Sequence, residues 1–173
     1  LVVAKPNVGL AVWLARPSWR TALAVAAILA VSLLVAPRWP WSWLSNIGGR
    51  EEKFIPLLRP GGFLLVTALV AWRRPEGRLL AALSLVPQSL FFYDQLLLWL
   101  VPRTFRQSLL LSLWSFAAFL LWQRGLQPDD YYVQEAIPYA YSLYFAALVI
   151  LLFNWRRDRT RRDTVSPSPE PDA

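Results

Sequence analysis

The chain contains no cysteine, no histidine and no methionine. Without cysteine there are no disulfides, no thiol nucleophile and no thiolate zinc site, and the redox compartment stays undetermined. Without histidine there is no imidazole general base. Charge is scarce, at 17% of residues against about 25% in an ordinary soluble domain. The absence of methionine bears on completeness, because an open reading frame normally begins with it. The opening LVVAKPNVGL also lacks the charged n-region and cleavage site of a signal peptide. The chain is therefore expected to be a fragment without its N-terminal part.

What is present is apolar. Hydrophobic residues make up 56% and aromatic residues 14%, and the mean hydropathy is +0.36. Long apolar runs alternate with short arginine-bearing connectors, the pattern of a helical membrane bundle. The runs lack the two-residue alternation of a transmembrane barrel. The expected fold is all-α, a polytopic transmembrane bundle of five to six membrane segments over 1–155. A basic, then Pro/Ser-rich tail over 156–173 is expected to be disordered, since it cannot bury enough apolar surface to fold.

In order, a short helix is expected near Pro6, and spans over Thr21–Ala36, Gly61–Trp72, Phe105–Trp122 and Ala136–Trp155. The long connector Pro37–Pro60 carries Trp39, Trp41 and Trp43, whose amphipathic rings suit the headgroup level. Ser18 is a candidate cap for the second helix. Tyr139, Tyr141 and Tyr144 are expected to pack or to form an aromatic belt. Five arginines fall within 156–162 and suit a cytoplasmic anchor, so the net charge of +7 points to a membrane surface and not to nucleic acid.

The least ordinary stretch is Leu79–Val101. Its 23 residues lie between basic clusters and hold one ionisable side chain, Asp94. Pro87 interrupts it by removing a backbone donor, and Gln88 is placed to bond the carbonyl so freed. A carboxylate in a bilayer costs at least about 2.5 kcal/mol unless paired, protonated or wetted. Two topologies compete. In one the stretch crosses once; in the other it enters and turns back. Both place 12 of the 18 basic residues inside, so the positive-inside rule does not separate them.

Three side chains are candidates for binding a substrate or a lipid phosphate: Lys5, Asn7 and Asp94. Lys5 would present an ammonium at a helix start, where backbone donors also point, or stand as an interfacial lysine. Asp94 would contact a substrate, a cation or a proton path, or pair structurally with an arginine. The pairs Arg73-Arg74 and Arg103-Arg106 fit head groups or ordinary cytoplasmic flanks. Asp129-Asp130 is too small a set for a metal and suits the start of the last span. No phosphate-cradling loop, metal triad or nucleophile–base pair is present, so no catalytic residue, metal or cofactor is assigned.

The Lys5-Pro6-Asn7 segment opening an apolar run, an Arg-rich turn and the later block Val86-Pro87-Gln88-Ser89-Leu90-Phe91-Phe92-Tyr93-Asp94-Gln95 resemble glycosyltransferase family 87. These are bacterial integral-membrane enzymes of the GT-C class, many of them polyprenyl-phosphate-mannose-dependent mannosyltransferases. The likeness is to the C-terminal portion and covers roughly 1–155. It implies transfer of a sugar, mannose in that family's pattern, from a polyprenyl-phosphate donor to an extracytoplasmic glycan or lipid acceptor at a bacterial inner membrane. It also implies a general base in a first extracytoplasmic loop, and nothing here matches that position, so the chain alone is expected to be inactive. Two other readings stay open: half of a transporter or flippase, suggested by the proline-broken segment, and a noncatalytic membrane subunit.

Overall fold

The computed structural model describes residues 6–48, 54–87, 95–125 and 136–165. Six α-helices and three 3-10 segments account for most of these residues. They are α1 (Pro6–Ala15), α2 (Trp19–Val35), α3 (Trp39–Gly48), a 3-10 turn at Pro56–Leu58, a long 3-10 segment at Gly62–Ala71, α4 (Pro75–Leu85), a 3-10 segment at Leu96–Leu100, α5 (Phe105–Gly125) and α6 (Ile137–Val165).

Among them, two helices are long and apolar enough to cross a bilayer: Phe105–Gly125, and α6 over Ile137–Arg161. At about 1.5 Å per residue α2 reaches roughly 25 Å, while α1 and α4 reach only about 15 Å, half of a ~30 Å hydrocarbon layer.

Helix starts follow local chemistry. α1 opens at Pro6 and α4 carries Pro75 in its first turn, where the missing amide hydrogen costs nothing. Ser18 occupies the N-cap of α2 but makes no side-chain capping bond. Its carbonyl accepts instead from the Trp13 indole at 3.2 Å and from the Ala22 amide at 3.0 Å. Within the long connector, Trp39–Gly48 is helical. The last helix does not stop at Trp155: it continues through the arginines to Val165. Arginine is a good helix former, and no proline intervenes before Pro167.

The 3-10 segment Gly62–Ala71 has a simple packing logic. Three residues per turn bring i and i+3 into register. Its buried residues are Gly62, Leu65, Ala68 and Ala71, one such column. Gly61 precedes it at φ +80°, a left-handed conformation that glycine adopts without strain. Small residues then allow close approach. A Cβ at Gly62 would stand 2.6 Å from the Leu57 carbonyl oxygen, and one at Gly77 would run into the Ala71 carbonyl.

The core lies between the long 3-10 segment, α4 and the inner face of α6. Leu65, Leu80, Leu83, Leu98, Leu143, Tyr144 and Leu151 are at most 1% exposed. Phe54 ties the connector in, with edge-on ring contacts to Tyr141 and Tyr144 at 6.3 and 6.2 Å. The Tyr141 hydroxyl donates to the Pro60 carbonyl at 2.8 Å. Tyr139 and Tyr144 are buried, so these tyrosines serve packing. α2 has no buried residue at all.

Candidate functional site

Among the described residues, a set of long-range polar contacts gathers at one end of the bundle. Arg103, in the connector before α5, forks onto Glu76: Nε donates to Oε1 at 2.9 Å and Nη2 to Oε2 at 3.1 Å. Its Nη1 donates to Asp158 of α6 at 2.8 Å. Arg74 Nη1 also stands 2.8 Å from that carboxylate, as an ion pair without hydrogen-bond alignment. Arg78 reaches across to α1, where its Nε and Nη2 donate to the Ala15 carbonyl at 3.2 and 2.8 Å. A cation there suits the negative end of the helix dipole.

Just inside this ring lies a buried amide pair. Gln107 Nε2 donates to Asn154 Oδ1 at 2.6 Å, and Asn154 Nδ2 returns a bond to Gln107 Oε1 at 3.1 Å. The same Gln107 oxygen accepts from the Arg103 amide at 2.9 Å. Both side chains are under 10% exposed, so α5 and α6 are joined by a satisfied polar contact in an apolar setting.

Burial pushes the Glu76 carboxyl up, but the hydrogen bonds from Arg103, with the Arg103 and Arg74 charges, outweigh it and hold the group below the usual carboxylate range. The same pairing raises Arg103 against its own burial. The arginines at 74 and 103, candidates for head groups by sequence, are thus engaged with carboxylates of this chain.

These contacts bring together the two flanks of Leu79–Val101, of which residues 88–94 lie outside the described structure. Glu76 and Arg103 flank that stretch, and their ion pair puts both flanks at one end of the bundle. α4 leads away from the polar end. The approach to Arg103 leads back to it: the Trp99 indole donates to Ser112 Oγ at 3.0 Å, two turns along α5 from Phe105.

Distances from the polar end follow from helical rise. Asn7 lies eight residues before Ala15, about 12 Å from the polar end. Leu85 lies seven residues beyond Arg78, about 10 Å away. Gln95 lies five residues before Leu100, again about 10 Å at the 3-10 rise. The start of α1, the end of α4 and Gln95 thus each lie about 10–12 Å along their own segments from the polar end. The first amides of α1 have no intrahelical acceptor. Gln95 is 2% exposed and its Nε2 is buried without a hydrogen-bond partner. An unpaired amide donor buried in this way costs about 1–3 kcal/mol, and such donors suit an oxygen-rich, anionic group.

Of the three sequence candidates, Asn7 is the second residue of α1. Lys5 and Asp94 lie outside the described residues, as do Gln88 and Asp129-Asp130. Gln95 enters the sequence reading only within the Tyr93-Asp94-Gln95 cluster and is not itself a named candidate; its signal is an amide beside a run of leucines. No protein-family model, no curated protein and no solved structure matches the chain.

Proposed function

We propose that the chain is the C-terminal membrane portion of a GT-C-type glycosyltransferase, holding part of the site for a polyprenyl-phosphate sugar donor. The sugar, mannose in the family pattern, would pass to an extracytoplasmic glycan or lipid acceptor. Five to six membrane segments would then combine two full crossings with shorter elements and a turned-back Leu79–Val101. The C-terminal tail would face the bacterial cytoplasm.

One observation carries this reading: the buried, unpartnered Gln95 amide, about as far along its segment from the polar end as the α1 start. A lipid-linked phosphate brings several acceptor oxygens on an apolar chain. It would meet the Gln95 amide, the α1 amides, and the Lys5 ammonium that precedes them in sequence. Cationic and amide donors stabilise a departing phosphate, while deprotonation of the acceptor needs a base that this chain does not assign.

The test uses the chain in nanodiscs with a photoreactive polyprenyl-phosphate analogue. Capture should fall about tenfold in Gln95→Leu and in Lys5→Ala, and no sugar should be transferred. Equal capture in all three proteins would sink the proposal. A turned-back Leu79–Val101 would also fit a transport element; substrate flux into vesicles holding the chain alone would favour that reading.

A further inference from the structure

The apolar part of α6 ends at Trp155, yet the helix continues, so its faces remain in register on both sides of that point. One face belongs to the protein: Ala147, Leu151 and Asn154 are buried, and Asp158 one turn on is held by Arg74 and Arg103. At about 100° per residue the opposite face carries Val149, Phe153, Arg156 and Thr160, with Arg157 at its edge, while Arg161, one heptad after Asn154, stands on the flank toward the protein. Val149 and Phe153 are 66% and 61% exposed. Phe153, Arg156, Arg157, Thr160 and Arg161 line one shallow groove of about 430 Å³.

The order along this face is apolar, apolar, then cationic. Asp158 is held by Arg74 and Arg103 and its charge reaches Arg161, which leaves Arg156 and Arg157 as the principal cations of the face. A soluble polyanion would use the arginines and leave Val149 and Phe153 uncovered. An amphiphile uses both: its chain lies on Val149 and Phe153 and its phosphate lies among the guanidinium groups one turn further out.

We propose that this face of α6 is a binding site for one anionic phospholipid of the surrounding bilayer, in the leaflet on the polar side of the bundle. Planar guanidinium groups bind phosphate bidentately. Arginines next to a membrane surface favour anionic over zwitterionic lipid by about 1 kcal/mol each, or roughly fivefold. The site needs only that α6 crosses the membrane, and does not depend on sugar transfer.

The experiment places p-benzoylphenylalanine at Phe153 of the whole chain, in nanodiscs of equimolar phosphatidylglycerol and phosphatidylcholine. The captured lipid is identified by mass spectrometry. Phosphatidylglycerol should be captured at least about fivefold more often. The triple variant Arg156→Gln, Arg157→Gln, Arg161→Gln should bring the ratio to one with its helical circular dichroism intact. A variant of equal charge loss at the same end, Arg16→Gln, Arg20→Gln, Arg73→Gln, should keep the preference. Equal capture in the parent chain would overturn the proposal. So would a preference that survives the first variant, or one lost equally in the second, which would make it a long-range charge effect.

Discussion

α2 and α4 are both apolar helices next to arginine connectors, and they meet opposite fates. α4 buries seven of its 11 residues, whereas none of the 17 residues of α2 is buried. Hydropathy runs the other way, because α2 is the more apolar of the two and yet the one left exposed. What α4 has and α2 lacks is a glycine for close approach and polar side chains that hook onto other elements. Gly77 lets α4 lie against the Ala71 backbone, Arg78 closes the end of α1, and Glu76 holds Arg103. For these two helices, partnership is set by small residues and a few satisfied polar contacts.

The largest test of that contrast replaces the small residue. Gly77→Val forces a side chain into the Ala71 carbonyl and is expected to cost about 1–3 kcal/mol or more, read as a lower denaturation midpoint in micelles. The matched change Ala26→Val in exposed α2 should stay within about 0.5 kcal/mol. Equal losses in the two variants would erase the distinction.

A middle-sized effect is expected at the amide pair. Asn154→Ala leaves Gln107 buried and short of a partner, for a cost of about 1–3 kcal/mol. The double variant Gln107→Leu, Asn154→Leu should recover most of it, because nothing polar is then stranded. A double-mutant cycle with no coupling would show that the pair does not join α5 to α6.

The smallest effect concerns pH. The Glu76 carboxyl is held below its unfolded value, so the folded state binds that proton less readily. Its contribution is complete above the ordinary carboxylate range and is lost as pH falls through the lowered folded value. The pair is partly exposed, so the change should be below about 1 kcal/mol. Denaturation midpoints at neutral pH and near pH 3 would show it, and Glu76→Gln should flatten the difference.

Much of the helical framework was legible because it depends on local rules. Pro6 starts α1, Pro75 starts α4, and the leucine-rich runs of α5 and α6 are long enough to cross. The contacts that assemble them were not. Glu76 and Arg103 are 27 residues apart, so their pairing is visible only in the folded chain. The helix within the tryptophan-rich connector and the extension of α6 were missed for another reason. Polar or mixed composition was read as loop or disorder, although tryptophan and arginine both tolerate a helix. At the candidate site, the α1 start at Asn7 was readable, while the burial of Gln95 depends on neighbours distant in sequence.

The 3-10 segment Gly62–Ala71 behaves as a three-sided prism. One edge carries Gly62, Leu65, Ala68 and Ala71 against the protein. The second carries Phe63, Val66, Leu69 and Trp72, and the third Leu64 and Val70, all between 45% and 69% exposed. Adding one residue would turn everything beyond it by about 120°, a whole side of the prism. Large side chains would then meet the narrow seam beside Gly77. This stretch therefore counts in threes: its sequence can absorb a change of three residues in length, while a change of one or two jams the seam.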